Sequence, residues 1–381
     1  MNEKEVSELR RRFRPDKSAI SRVVGCYVNE KGEIIAQFDQ SLGLMSQEES
    51  EAILQTLRKS LTGSVGKNLL DIVFDTRQVV DSDEHRLLTA LRDSELKDRE
   101  ALQTFFQRVS QSVALEGNYM ILLARDAYDV PYRSGDGEKQ ADASAEVFSY
   151  ILCSICPVKL TKAALSYLVR ENEFHTLKPE WVMSAPELGF LFPAFNDRSA
   201  DLYGALYYSR DLGDTHGAFV NAVFHQEPPM PATAQKETFQ TLLGEALAED
   251  CNFDVVQSVN EEMRLRIAAH KESGETQPLT VSGGEVKNIL RSCGVSESNA
   301  TSFEVQYGGA FGEDAVLSPK NLVDTKQIEV RTPDVVIKVN PDRSDLLETR
   351  IINGAKYILI RADDGVEVDG VPISRFGESG Q

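Results

Sequence analysis

Three groups of residues have the types and spacing that chemistry requires. Cys153-Ser-Ile-Cys156-Pro157 holds the one Cys-x-x-Cys of the chain, a spacing used by zinc ligands and by redox dithiols. A structural zinc takes four ligands, yet Cys26, Cys251 and Cys293 each stand alone, so His175 and another distant residue would have to complete the set. A redox pair needs an exposed thiolate at a helix start, whereas these two thiols end a strongly apolar run. We expect them to be buried small hydrophobes, with zinc or thiol chemistry at Cys153 and Cys156 as one alternative.

The second group is acidic. Asp126 with Asp129, and Asp197 with Asp201, fall near strand ends, where paired carboxylates bind magnesium or act as acid and base. Turn chemistry alone also places acids there, so a metal-assisted hydrolase is the other alternative. The histidines lack His-x-x-x-His spacing and no Gly-x-Ser-x-Gly elbow occurs, so no catalytic residue, metal or cofactor is assigned. Gly63-Ser-Val-Gly66-Lys67 resembles a phosphate loop only superficially, because Leu61 stands where its first glycine belongs and Asn68 replaces the magnesium-binding hydroxyl.

The third group is basic and carries the favoured expectation. Residues 10–22, RRRFRPDKSAISR, hold six basic residues and one acid in a chain whose formal net charge is −19. Arg10, Arg11, Arg12, Arg14 and Lys17, with Phe13 to stack on a base, would form a docking segment for RNA, a ribosome or an acidic protein surface. A solvated helix end paired with the protein's own carboxylates is the structural counterpart of that expectation. The rest of the acidic surface repels phosphate, so nucleic-acid binding would have to be local.

The 381 residues, 41% hydrophobic and 27% charged, are those of a globular chain of two or three domains. The charged start MNEKEVSELRRRF has no apolar h-region, and no run approaches a membrane span. An odd number of scattered cysteines fits reduced thiols, and a cytoplasmic location is expected.

These groups need elements to hold them. The hydrophobic period predicts strands over Val23–Val28 and Glu33–Phe38 about Asn29-Glu30-Lys31-Gly32, a helix opened by a Ser46/Glu49 capping box, and a strand Leu69–Phe74. Two amphipathic helices follow between Asp83 and Val109, then a strand Tyr119–Ala124. Arg133–Ala145 reads as a mobile loop, Val147–Cys156 as a doubly buried strand stopped by Pro157, and Leu188–Phe195 and Leu202–Ser209 as strands joined by a turn at Asn196–Ser199. Glu227–Pro231 reads as a linker. Beyond it, helices are expected, including one opened by Ser282 and Glu285. Ser296–Tyr307 would complete a helix-turn-helix, but it carries Glu297 and Glu304 and no Lys or Arg, so packing is expected and DNA reading is not. The closing segment predicts a β-meander, with Asn353-Gly354 as a type I′ turn and further turns at Asp364-Gly365 and Asp369-Gly370.

RRRFRPDKS, GCYVNEKGEII, FDQSLGLM, EVFSYILCSICPVKL, ELGFLFPAFNDR, MPATAQKETFQ and TRIINGAKYILI resemble a family of Gram-positive bacterial proteins catalogued as a domain of unknown function. The resemblance runs over nearly the whole chain. It implies a cytosolic protein of a Firmicutes-type bacterium and supplies no activity or site residues.

The expected class is α+β: a mixed sheet with packed helices over residues 1–226, a helical module over 232–318 and an antiparallel β-meander over 319–376. The expected function is that of a non-enzymatic cytosolic binding protein.

Overall fold

The computed structural model describes residues 1–133, 139–273, 275, 277–362, 365–368 and 371–373, with backbone alone for 132, 133 and 139–146. The chain divides into two compact units, Met1–Gln235 with Glu275–Pro278, and Lys236–Gly274 with Leu279–Gln381. The helical and C-terminal β segments fall in the second unit. The architecture is α+β.

The first unit begins with α1 (Glu3–Arg10), a 3-10 turn (Arg11–Phe13), β1 (Arg22–Val28) and β2 (Ile34–Ser41). Next come α2 (Gln47–Lys59), β3 (Leu69–Val73), α3 (Thr76–Asp81), α4 (Asp83–Asp93) and α5 (Arg99–Ser112). β4 (Asn118–Arg133) and β5 (Lys139–Leu160) are long partners, followed by β6 (Ala164–Leu168), β7 (Glu173–Leu177) and β8 (Trp181–Met183). β9 (Leu188–Phe192), β10 (Ala194–Asn196), β11 (Ser199–Asp201), β12 (Gly204–Ser209) and α6 (Gly217–Phe224) complete it.

The principal sheet runs β2-β1-β4-β5-β9-β12-β3, with β8 on the end of β5. All its pairings are antiparallel, so the expected mixed sheet is an antiparallel one. Successive side chains of a strand point to opposite faces, and both faces here are covered. One face packs Cys26, Leu123, Cys153, Phe190 and Tyr207 against Leu88, Phe105 and Phe219 of α4, α5 and α6. The other packs Leu122, Leu152, Cys156, Leu191 and Leu206 against Val6, Leu9 and Phe13 of the N-terminal segment and Leu54 and Leu57 of α2. Double coverage is why β9 and β12 are buried at every position and read as unbroken apolar runs.

Two expectations about β5 are corrected. The strand starts at Lys139, inside the predicted loop, because a ladder needs backbone partners and not apolar side chains; residues 134–138 lie outside the described residues. Pro157 does not stop it. It sits opposite Tyr119, and since proline lacks only the donor, its carbonyl accepts from the Ser184 N–H at 2.8 Å.

The second unit contains α7 (Ala232–Leu247) from Lys236 on, its first turn falling in the first unit, then α8 (Phe253–Ser273), β13 (Val281–Ser282), α9 (Gly283–Ser292), α10 (Glu297–Phe311), β14 (Val316–Leu317) and α11 (Pro319–Leu322). Phe239, Val259, Met263, Leu290 and Phe303 form its core. α10 packs on α9, and its acids meet α9's bases: Glu304 lies 2.9 Å from Lys287 and Glu297 lies 2.6 Å from Arg291. β15 (Ile328–Arg331) pairs with β16 (Val336–Val339), β17 (Leu347–Ile352) with β18 (Ala355–Ile360), and β19 (Val366–Val368) with β20 (Val371–Ile373). Among the described residues the expected meander consists of three two-stranded antiparallel ladders. Asn353 and Gly354 have φ of 52° and 79°, as a type I′ turn requires. Asp364 and Asp369-Gly370 lie outside the described residues.

Candidate binding surface and its buried anchor

The basic segment is held by an amphipathic helix docked on the sheet. Asn2 caps α1 and exchanges hydrogen bonds with Glu5, a capping box at 3.0 and 2.7 Å. Val6, Leu9 and Phe13 then fall on one face and enter the core. This face fixes the orientation of every basic residue around it.

Arg10 turns back to the carbonyl oxygens of Leu61 and Gly63. Arg12 reaches through the sheet face to Asp126, which is 1% exposed. The guanidinium donates to both carboxylate oxygens at 3.3 and 3.4 Å, and it also lies 4.9 Å from the centre of the Tyr128 ring. Phe13 is 2% exposed, so it belongs to the core and is not presented for base stacking. Arg11, Arg14 and Lys17 remain exposed, with Arg14 3.1 Å from Asp16.

Asp126 is fully engaged. Besides Arg12, it accepts from the Tyr150 hydroxyl at 2.9 Å and from the Ala127 N–H at 2.9 Å. Burial, reinforced by the Asp126 charge, holds the Tyr150 hydroxyl well above its ordinary pKa. A second ion pair extends the network: Arg198 donates to Glu8 at 3.0 Å and to the Pro131 carbonyl at 3.0 Å, while Tyr128 donates to Glu8 at 2.7 Å. Burial and the Glu8 bond push the Tyr128 hydroxyl up to about 12. Arg198 is presented by the Asn196–Ser199 turn, in which Asp197 and Arg198 have φ of 50° and 61°.

Beside this network lies an open cleft of about 560 Å³, lined by Glu3, Lys4, Glu8, Arg11, Asp197 and Arg198 among others. Its charge is mixed, and it suits a surface with both signs better than a polyphosphate.

The structure therefore joins Arg12 and Asp126, residues expected in two different roles, in one ion pair. The other candidates stay apart. Asp126 and Asp129 are three positions apart on β4 and point to opposite faces, with Asp129 exposed. Asp201 accepts from Asn196 at 2.6 Å and from the Tyr203 N–H at 2.9 Å, as a turn acid does. With its oxygens engaged by donors, Asp126 offers no lone pair for a metal ion. Among the described residues no group of three or more His, Cys, Asp and Glu could hold one.

Cys153 and Cys156 lie on opposite faces of the sheet, one in each core. They cannot share a tetrahedral zinc or form a disulfide with each other. Burial raises the Cys156 thiol to about 12 and the Cys153 thiol well above its ordinary value, so both are inert. His175 sits on exposed β7, 3.4 Å from Glu171.

Nothing in the sequence singles out Glu8, Tyr128, Tyr150 or Arg198. A faint signal existed: Asp126 interrupts an apolar strand at an inward position, and a buried acid there demands donors.

An antiparallel sheet covered on both faces, with an N-terminal segment anchored by partly buried ion pairs, defines the structural class. The chain belongs to the family described as Domain of unknown function (DUF4317), whose model matches residues 1–371. No curated protein matches it. Among the described residues, no helix is long and apolar enough to cross a membrane.

Proposed function

We propose that this chain is a cytosolic, non-enzymatic binding protein that docks an acidic protein surface through Arg11, Arg14 and Lys17. The observation that carries this reading is the division of labour within the basic run. Arg10, Arg12 and Phe13 are committed to the body of the protein, which leaves Arg11, Arg14 and Lys17 on a rigidly held, solvent-facing turn. A protein partner is favoured over RNA because Phe13 is withheld from stacking and because Glu3, Glu8 and Asp197 border the adjoining cleft.

The test is photo-crosslinking in cells from position 19, compared with the same crosslinker in the variant carrying Arg11→Ala, Arg14→Ala and Lys17→Ala. A salt-sensitive crosslink to one acidic protein, lost in the variant, supports the proposal. Crosslinks to RNA or ribosomal proteins would replace it with phosphate docking. Cell fractionation tests the location.

A further inference from the structure

β5 outlasts its neighbour. Its ladder with β4 ends at Val158, yet the strand continues and pairs with β8, and the same register carries on into β6 and β7. Val158 faces Met183, Leu160 faces Trp181, Ala164 faces Leu177 and Leu168 faces Glu173. The intervening step is bridged by the Thr161 N–H donating to the Glu180 carbonyl at 2.8 Å. The result is a two-stranded ribbon of roughly 33 Å at ~3.3 Å per residue.

From Lys159 to Val182 every residue is exposed except Ser166, which is half-buried. The side chains are not those of a solvated arm. Leu165 is 70% exposed, Val169 81%, Phe174 69%, Leu177 56% and Trp181 58%, and Tyr167 packs its ring 5.1 Å from that of Phe174. A lone two-stranded ribbon is marginal in water, and large apolar side chains along open strand edges favour further pairing. A standard stable interface takes about 800 Å² from each partner, and these exposed side chains supply apolar surface toward it.

The charges along the ribbon select the occupant. Its base carries Lys159, Lys162 and Lys178 against Glu180, while its tip carries Glu171 and Glu173 against Arg170. Base and tip are therefore opposite in sign, on an arm that is slightly basic in a chain of net charge −19. When two such ribbons lie antiparallel about a two-fold axis, each basic base meets the other's acidic tip. The β6 side is the edge for this contact, because residues 159–170 contain no proline, whereas Pro179 removes a donor from the other edge.

We propose that the Lys159–Val182 ribbon is a self-association surface, and that a second copy of this chain docks on it antiparallel, tip against base. The contact is independent of the acidic partner proposed above.

The experiment is sedimentation velocity of the full chain over a concentration series at low and moderate salt. The wild type is expected to reach twice the monomer mass. Lys159→Glu/Lys162→Glu/Lys178→Glu should weaken association at least about tenfold, as opposed charges become repulsive. Adding Glu171→Lys/Glu173→Lys to that variant should restore it, a rescue that a merely structural effect would not produce. In mixtures, Lys159→Cys chains and Glu171→Cys chains, whose cysteines lie at the base and the tip of the contact edge, should form a disulfide between copies. These residues lie outside both cores of the first unit, so circular dichroism, and urea midpoints at concentrations where every variant is monomeric, should stay those of the wild type. A wild type that remains monomeric throughout, a dimer indifferent to the lysine reversals, or a failed charge-swap rescue would each overturn the proposal.

Discussion

Arg12 and Asp126, far apart in sequence, form an ion pair in which the carboxylate is wholly buried and the guanidinium is 18% exposed. Removing one member strands the other, so Arg12→Met should cost about 3 kcal/mol. The double change Arg12→Met with Asp126→Leu should cost clearly less than the sum of the single changes, because the stranded charge is gone. Urea unfolding of the four proteins measures the coupling; simple additivity would mean that the pair does not anchor α1.

Thiol chemistry should follow burial. Cys251 is exposed and should react at once with an aromatic disulfide reagent at neutral pH, with half-buried Cys293 slower. Cys26, Cys153 and Cys156 should react only on unfolding, since burial raises Cys26 and Cys156 to about 12. Mild oxidation should leave no Cys153–Cys156 disulfide in a peptide map.

Alkaline pH should destabilise the first unit. Burial raises Tyr119 and Tyr128 from 10.0 to about 12, so between those values the folded state retains protons that the unfolded chain has released. The stabilisation is complete below the unfolded pKa and is lost as pH rises through the folded one. Urea midpoints should therefore fall from about pH 9 upward as buried tyrosines and thiols titrate in the unfolded chain, and Tyr128→Phe should shallow that slope. An identical slope in Tyr128→Phe would show that Tyr128 is not among the groups responsible.

Gly189 admits no side chain. A Cβ there would overlap the backbone carbonyl of Cys153 on the neighbouring strand, an atom that cannot move without breaking the β5–β9 ladder. Gly189→Ala should cost about 3 kcal/mol, whereas Gly244→Ala, with nothing within 4 Å and in the interior of α7, should stabilise by up to about 1 kcal/mol. Thermal unfolding of both variants checks the contrast.

Local signals carried much of the fold. The Ser46/Glu49 and Ser282/Glu285 pairs are capping boxes in the structure, and Asn353, Gly354 and Asp197 take the left-handed backbone that those residue types tolerate in turns. What escaped was non-local. Nothing near Lys139 or Pro157 announces that β5 runs through both, because a partner strand supplies the ladder. Likewise Arg12 looks like any arginine of a basic run until folding brings Asp126 to it. The side chains that face solvent at Arg11, Arg14 and Lys17 differ from their inward neighbours only through helical phase, which Val6, Leu9 and Phe13 set.

The order of strands also bears on how the protein is made. β3 sits at the edge of the sheet, and its ladder partner is β12, with Leu69 facing Tyr208. A ribosome delivers β3 long before β12, so the nascent chain carries Leu69, Leu70 and Ile72 without their strand until the first unit is nearly complete. Translation that pauses between them leaves that apolar edge open to chaperones, and release of the β12 segment closes it.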